Sequence, residues 1–159
     1  MRPTEQELTR LLKANQEKYY RMAYAYVKNR EDALDIVHDA IVKALQKVHQ
    51  VNNPMYLETW FCRILINQSL SFVRRRKNTL NLEEVKPSSR EEDWTGRVSL
   101  YDAIDRLPPK LKTVILLRFF EDRSFEEISR ITALKESTVK ARVYKALQLL
   151  KLDMEDVDI

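Results

Sequence analysis

Apolar residues recur three and four positions apart along most of this chain, the period of an amphipathic helix. Leu8, Leu11, Leu12, Tyr19, Met22, Ala23 and Tyr26 keep that beat over about residues 4–28, and Thr4 followed by Glu7 resembles a capping box at its start. A second helix is predicted over about residues 31–50, with Ile36, Val37, Ala40, Ile41, Ala44, Leu45 and Val48 as its apolar stripe. The run Val51-Asn52-Asn53-Pro54 then breaks the pattern, as Asn and Pro do. A third helix covers about residues 56–77 and carries Leu57, Trp60, Phe61, Ile64, Leu65, Phe72 and Val73. Helices of this length bury their apolar faces only against one another, which predicts a small bundle.

Residues 78–95 lose the period and hold Pro87, Ser88, Ser89 and an acidic cluster, the composition of a linker. Beyond it a second bundle is predicted over residues 96–152. Leu100, Ala103, Ile104 and Leu107 form a helix that ends before Pro108-Pro109, and Leu111, Val114, Ile115, Leu117 and Phe119 form the next. Then Phe125, Ile128 and Ile131 share one face of a short helix, a break falls at residues 132–135, and a last helix runs over about residues 136–151. Val139, Val143, Leu147 and Leu150 mark its buried stripe, which turns Ser137, Lys140, Ala141, Arg142, Tyr144 and Lys145 to the other sides. Two short helices, a tight connection and a basic, partly aromatic outer face fit a helix-turn-helix whose second helix enters a DNA major groove.

Composition narrows the fold class. The chain has 159 residues, 44% of them hydrophobic, and a single glycine. The Asn-Gly and Asp-Gly pairs that build hairpins are missing, so an all-α protein is expected: two small helical bundles joined by a flexible acidic linker, the second containing the helix-turn-helix.

Charge adds a partner class. Residues 1–77 hold 14 basic and 8 acidic residues (+6), residues 78–95 hold 2 and 5 (−3), residues 96–152 hold 12 and 7 (+5), and the tail 153–159 holds 4 acidic residues only (−4). Two basic blocks suit a polyanion. The lone Cys62 excludes an internal disulfide framework and sits in an apolar helix as a structural thiol. The lack of an apolar run of membrane-spanning length, or of a signal-peptide core in MRPTEQELTR, leads to the expectation of a soluble, cytoplasmic protein with no direct membrane insertion.

Catalysis finds no support, so no catalytic residues are expected. His38 and His49 are not spaced for a metal on one face and no cysteine cluster accompanies them, so neither metal nor cofactor is expected. A phosphate-cradling glycine loop is also missing. Binding chemistry is better represented. Asp35 and Asp39 lie one turn apart with Asp32 close by, an acidic face suited to a basic partner surface or simply to solvent. Arg63 and Asn67 are one turn apart, Ser71 continues their row, and Arg74-Arg75-Arg76-Lys77 ends the helix. Cations combined with polar groups that read base edges hold single-stranded nucleic acid. Trp60 and Phe61 fit a core better than a stacking platform.

These segments resemble the extracytoplasmic-function group of the bacterial sigma-70 family, over about residues 17–151. EDALDIVHDAIVKAL is similar to the family's segment that docks on the β′ clamp helices of RNA polymerase. LETWFCRILINQSLSFVRRRK resembles its segment that melts and reads the −10 element, and LPPKLKTVILLRFFEDRSFEEISRITALKESTVKARVYKAL its reader of the −35 element. The resemblance implies an alternative sigma factor that directs core RNA polymerase to promoter DNA, with the β′ clamp helices and the β flap as its contacts. It makes residues 1–77 a region 2 domain and residues 96–152 a region 4 domain. Asp32, Asp35, Ile36, His38 and Asp39 would dock on the polymerase. Asn52, Asn53, Tyr56, Arg63, Asn67, Ser71, Arg74, Arg75, Arg76 and Lys77 would meet −10 DNA, with the VNNPMY loop receiving a flipped base. Lys140, Ala141, Tyr144 and Lys145 would face −35 bases, while Ser137, Thr138 and Arg142 would hold the backbone. An anti-sigma factor, often membrane-bound, would cover the polymerase-binding surfaces.

The chain departs from the family pattern in its −10 loop and at two points of the turn: Ala133 stands where glycine is common, and Lys135 stands where serine often caps the recognition helix, so that Ser137 becomes an alternative cap. Two other readings stay open from the residues alone. One is a stand-alone helix-turn-helix regulator whose first bundle senses or dimerises, and the other a structural adaptor. The first leaves the Arg63/Asn67 row and the tetra-basic helix end without a role, and the second leaves both basic blocks unexplained.

Overall fold

The computed structural model describes residues 3–80 and 99–155, and every regular element among them is helical. The chain forms two compact units, the first comprising Met1–Val73 and Arg130–Ala133 and the second Arg74–Ser129 and Leu134–Ile159.

In the first unit, the expected opening helix is two: α1 (Glu5–Ala14) and α2 (Gln16–Val27). The break is Asn15, whose backbone leaves the helical region at φ −125 and whose side-chain amide donates to the Leu11 carbonyl at 2.9 Å. A short amide side chain competing with the backbone ladder is the physical reason, and Asn carries it wherever it falls inside a periodic stretch. The Thr4 hydroxyl accepts the Glu7 N–H at 3.2 Å and starts α1 as expected. Asn29 caps α3 (Arg30–Lys47) through the Asp32 N–H. Helical 3-10 turns over Val48–Gln50 and Pro54–Tyr56 lead into α4 (Leu57–Leu80).

α3 turns Ala33, Ile36, Ala40 and Ala44 inward, and three alanines on one face let α2 approach closely. Tyr19 of α2 meets Phe61 of α4 with ring centroids 4.7 Å apart, and both are fully buried. Cys62, Leu65 and Ile66 complete this wall, so Phe61 and Cys62 are core residues as the sequence implied, while Trp60 is only half-buried.

Beyond α4, the Ser99 hydroxyl accepts the Asp102 N–H and caps α5 (Leu100–Arg106). Pro109 occupies the first turn of α6 (Pro109–Ile115), where its missing N–H costs nothing. A π-helical turn (Leu116–Phe120) follows, then α7 (Phe125–Thr132) and α8 (Glu136–Glu155). Ala103, Ile104, Leu107, Leu111, Ile115, Ala146 and Leu150 form the core that joins α5, α6 and α8. Lys112 and Asp105 face each other at 3.9 Å with both side chains nearly buried.

Four stripe assignments change: Leu45 of α3 is exposed, and three more differ in the second unit. Leu147 is exposed and Ala146 takes its place inside, because a small side chain admits α5 and α6 close to α8. Phe119 is exposed because the π-helical turn adds a residue and shifts the register that a strict 3.6 period would continue. Leu100, at the first position of α5, is exposed as well.

The expected linker, residues 78–95, lies outside the described residues from position 81 on, and its first three residues belong to α4. Of the expected acidic tail, residues 153–155 close α8 and residues 156–159 lie outside the described residues.

Candidate nucleic-acid and partner interfaces

The helix-turn-helix is built from local rules. Ser124 and Glu127 form a reciprocal capping box: the Ser124 hydroxyl accepts the Glu127 N–H at 3.1 Å, and the Glu127 carboxylate accepts the Ser124 N–H at 3.3 Å. Arg123 donates to the same carboxylate at 3.1 Å. The Arg123 hydrogen bond above all, with the Ser124 N–H, holds the Glu127 carboxyl below the ordinary glutamate range.

After α7 the chain turns through Ala133 at φ 59, the left-handed conformation that glycine reaches without strain. The Ser129 hydroxyl donates to the Leu134 carbonyl across this turn. α8 begins at Glu136, and the Lys135 carbonyl accepts the Val139 N–H at 3.0 Å. Lys135 is therefore the boundary residue, and Ser137 lies inside the first turn rather than capping a later start.

With Val139, Val143, Ala146 and Leu150 buried, α8 presents a continuous outer face. Ser137, Ala141 and Tyr144 run down its middle, with Lys140 and Lys145 on its flanks, and all five are exposed. Tyr144 is 61% exposed. Thr138 and Arg142 are half-buried at the margin. Gln148, one turn beyond Tyr144 and exposed, extends the same row and carries no motif that singles it out in the sequence.

On α4, Asn67 is exposed, Arg63 and Ser71 are half-buried, and Arg74, Arg75, Arg76 and Lys77 are exposed towards the helix end. The preceding loop exposes Asn52, Asn53, Met55 and Tyr56. Asn53 uses its amide oxygen to accept the Met55 N–H at 3.0 Å and so caps the 3-10 turn. Its role is thus partly structural, whereas Asn52 stands one residue before the cap.

On α3, Asp35, His38 and Asp39 are exposed and Asp32 is half-buried. Ile36, expected among the docking residues, is 1% exposed and faces the core, so its side chain does not belong to the outer face of α3. The outer face of α3 instead holds apolar residues that periodicity misassigned or passed over. Leu34, Val42 and Leu45 are 47%, 40% and 38% exposed and line one face with His38 between them. The stripe is exposed apolar surface bordered by carboxylates, the composition of an interaction surface rather than of an evenly polar helix face. The second unit has an apolar patch of its own, with Leu100, Tyr101, Phe119 and Phe120 exposed and the Tyr101 and Phe120 rings 6.3 Å apart.

Comparison with known proteins gives these surfaces a family. Residues 11–79 match sigma-70 region 2, and residues 97–150 match sigma-70 region 4. The chain is 42% identical over 144 residues to the RNA polymerase sigma factor SigV of Bacillus subtilis, covering 89% of this chain and 87% of that one. The chain belongs to the sigma-70 family. Within it, this sigma factor is of the extracytoplasmic-function (ECF) group and directs transcription initiation. It is also 28% identical over 152 residues to the ECF sigma factor SigE of Mycolicibacterium smegmatis, covering 89% of this chain and 59% of that one. The fold matches that of the sigma factor RpoE of Bartonella quintana, solved in complex with the anti-sigma factor NepR, with a TM-score of 0.72 at 21% identity over 95% of this chain and 98% of that one. Among the described residues, no helix of this sigma factor is long and apolar enough to cross a membrane.

Proposed function

We propose that this sigma factor docks on core RNA polymerase through α3 and through the aromatic patch of its second unit, and reads promoter DNA with α4 and α8. The observation that carries this reading is the division of α8 into a fully apolar buried side and an outer face of Ser137, Lys140, Ala141, Tyr144 and Lys145. Such a face on the second helix of a helix-turn-helix suits a major groove. Lys140 and Lys145 can donate to guanine O6 and N7, Tyr144 supplies an apolar ring with a hydroxyl, and Arg142 with Thr138 and Ser137 sits where the sugar-phosphate backbone runs. A −35 element containing guanine follows.

In the first unit, Asn52, Asn53 and Tyr56 offer hydrogen bonds and a stacking ring to an unpaired −10 base. Arg63, Asn67, Ser71 and the run 74–77 accompany the strand along α4. Residues 1–77 thereby act as the region 2 domain and residues 96–152 as the region 4 domain, with residues 78–95 between them.

Leu34, Val42 and Leu45, with Asp35, His38 and Asp39 at their border, are the surface offered to the β′ clamp helices. Leu100, Tyr101, Phe119 and Phe120 are the surface offered to the β flap. An anti-sigma factor holds the protein inactive by covering those apolar residues, as fits the complex in which the Bartonella relative was solved. The working place of such a protein is the cytoplasm.

Core binding tests the docking surface. Asp39→Lys and Leu34→Ala should each weaken association with purified core polymerase by at least tenfold while the helical signal and thermal midpoint stay unchanged. Wild-type affinity in both variants would refute the α3 assignment.

A further inference from the structure

Phe125, the first residue of α7, sits half-buried between two cations. The Arg118 guanidinium lies over its ring at 4.5 Å, and the Lys140 ammonium at 5.6 Å. Arg118 is anchored in turn, donating to the Arg123 carbonyl at 3.1 Å. The Ser124/Glu127 capping box fixes the first turn of α7, from which the ring projects.

Among the described residues, Lys140 also pairs with Glu136, at 3.9 Å one turn earlier on α8. Both side chains are about half exposed, so this pair contributes little and is screened by salt. A lysine also carries large rotamer entropy, which a single exposed ion pair does not remove. Near DNA, phosphates repel the Glu136 carboxylate and weaken even that restraint. The attraction of the ammonium to the face of a fixed aromatic ring is electrically neutral towards phosphate and persists.

We propose that Phe125 is a positioning residue for base recognition: it holds the Lys140 ammonium where it meets a base edge in the major groove, with Glu136 as a second and dispensable restraint. The inference rests on the reading of Lys140 as a base contact. Its consequence is that part of the promoter specificity resides in the first helix of the helix-turn-helix, in a side chain that acts through another. Ordering a flexible donor before binding raises selectivity because less freedom is lost in the correct complex.

The test uses the holoenzyme, formed from this full chain and core polymerase, on a promoter selected from a random upstream library and on its single-base-pair variants. Lys140→Ala should relax preference at one base pair. Phe125→Leu should relax the same base pair, by about two- to fivefold, the range of one exposed cation–π contact. Phe125→Tyr, which keeps the ring, should retain the preference, and Phe125→Leu should add nothing in the Lys140→Ala background. A uniform loss across all duplexes, or relaxation at a different base pair, overturns the positioning role while leaving the Lys140 reading intact. A Lys140→Ala variant that relaxes no base pair overturns both. Should Phe125→Leu fail to fold, NMR of the wild-type chain decides: the Lys140 methylene protons should be shifted upfield by the ring current, and ordinary lysine shifts overturn the inference.

Discussion

Ala133→Gly should stabilise this protein, although alanine-to-glycine changes ordinarily do the opposite. Ala133 stands at φ 59 in the turn between α7 and α8. In that conformation its Cβ crowds the following carbonyl, a penalty of about 1–2 kcal/mol that glycine escapes. Glycine gains freedom in the unfolded chain, which returns about 0.4–1 kcal/mol. The difference is a net stabilisation of about 0.5–1 kcal/mol. Ala141→Gly supplies the control, because Ala141 is exposed in a regular turn of α8 and the same chemical change there costs about 1 kcal/mol. The assay is urea unfolding followed by far-UV circular dichroism. The midpoint should rise for Ala133→Gly and fall for Ala141→Gly, with the slope unchanged in both. Equal falls in the two variants would show that the turn stores no left-handed strain, and would refute the reading that Ala133 holds a conformation glycine adopts more easily.

Other outcomes follow from the same structure. Ser124→Ala removes the cap of α7 and should cost about 1 kcal/mol of stability, read from the thermal midpoint. Because the folded Glu127 carboxyl titrates below its unfolded value, its contribution is complete above the ordinary glutamate range and disappears as pH falls through and below that range. A Glu127→Gln variant should show a shallower loss of stability on acidification, measured by urea midpoints across acidic pH. Ile36→Ala should destabilise the first unit by about 2–5 kcal/mol, whereas Leu34→Ala, on the exposed side of the same helix, should stay within about 0.5 kcal/mol of wild type. Tyr144→Ala should leave the thermal midpoint unchanged and weaken holoenzyme binding to the preferred −35 sequence by about 1–3 kcal/mol. Arg142→Ala should weaken all sequences alike and lower the salt slope by about 1.

Much of the fold is legible in the sequence because most helices carry their own start and stop signals. Thr4, Asn29 and Ser99 cap, Pro109 opens, and Ala133 turns where the pattern breaks. What escaped has local physical causes. Asn15 interrupts a stretch that periodicity alone reads as one helix. Ala146 and Leu147 both fit a helical stripe behind Val143, and only the close approach of α5 and α6 selects the smaller residue. The π-helical turn moves Phe119 outward by one residue of register, which no 3.6-period count foresees.

The candidate surfaces follow the same division. The outer residues of α8 were readable because a buried stripe determines its opposite face. The exposed apolar stripe of α3 was not, because α3 is apolar over a broad arc. There Ile36 points inward while Leu34, Val42 and Leu45 point outward, and sequence hydrophobicity does not distinguish a core from an interface.

Transcription by purified core RNA polymerase on fragmented genomic DNA, with and without this protein, tests the account most directly. Discrete run-off transcripts that appear only with the protein, and share both an upstream and a start-proximal motif, are the predicted result. Unaided binding of the protein to duplex DNA, with no new transcripts from the polymerase, would contradict it.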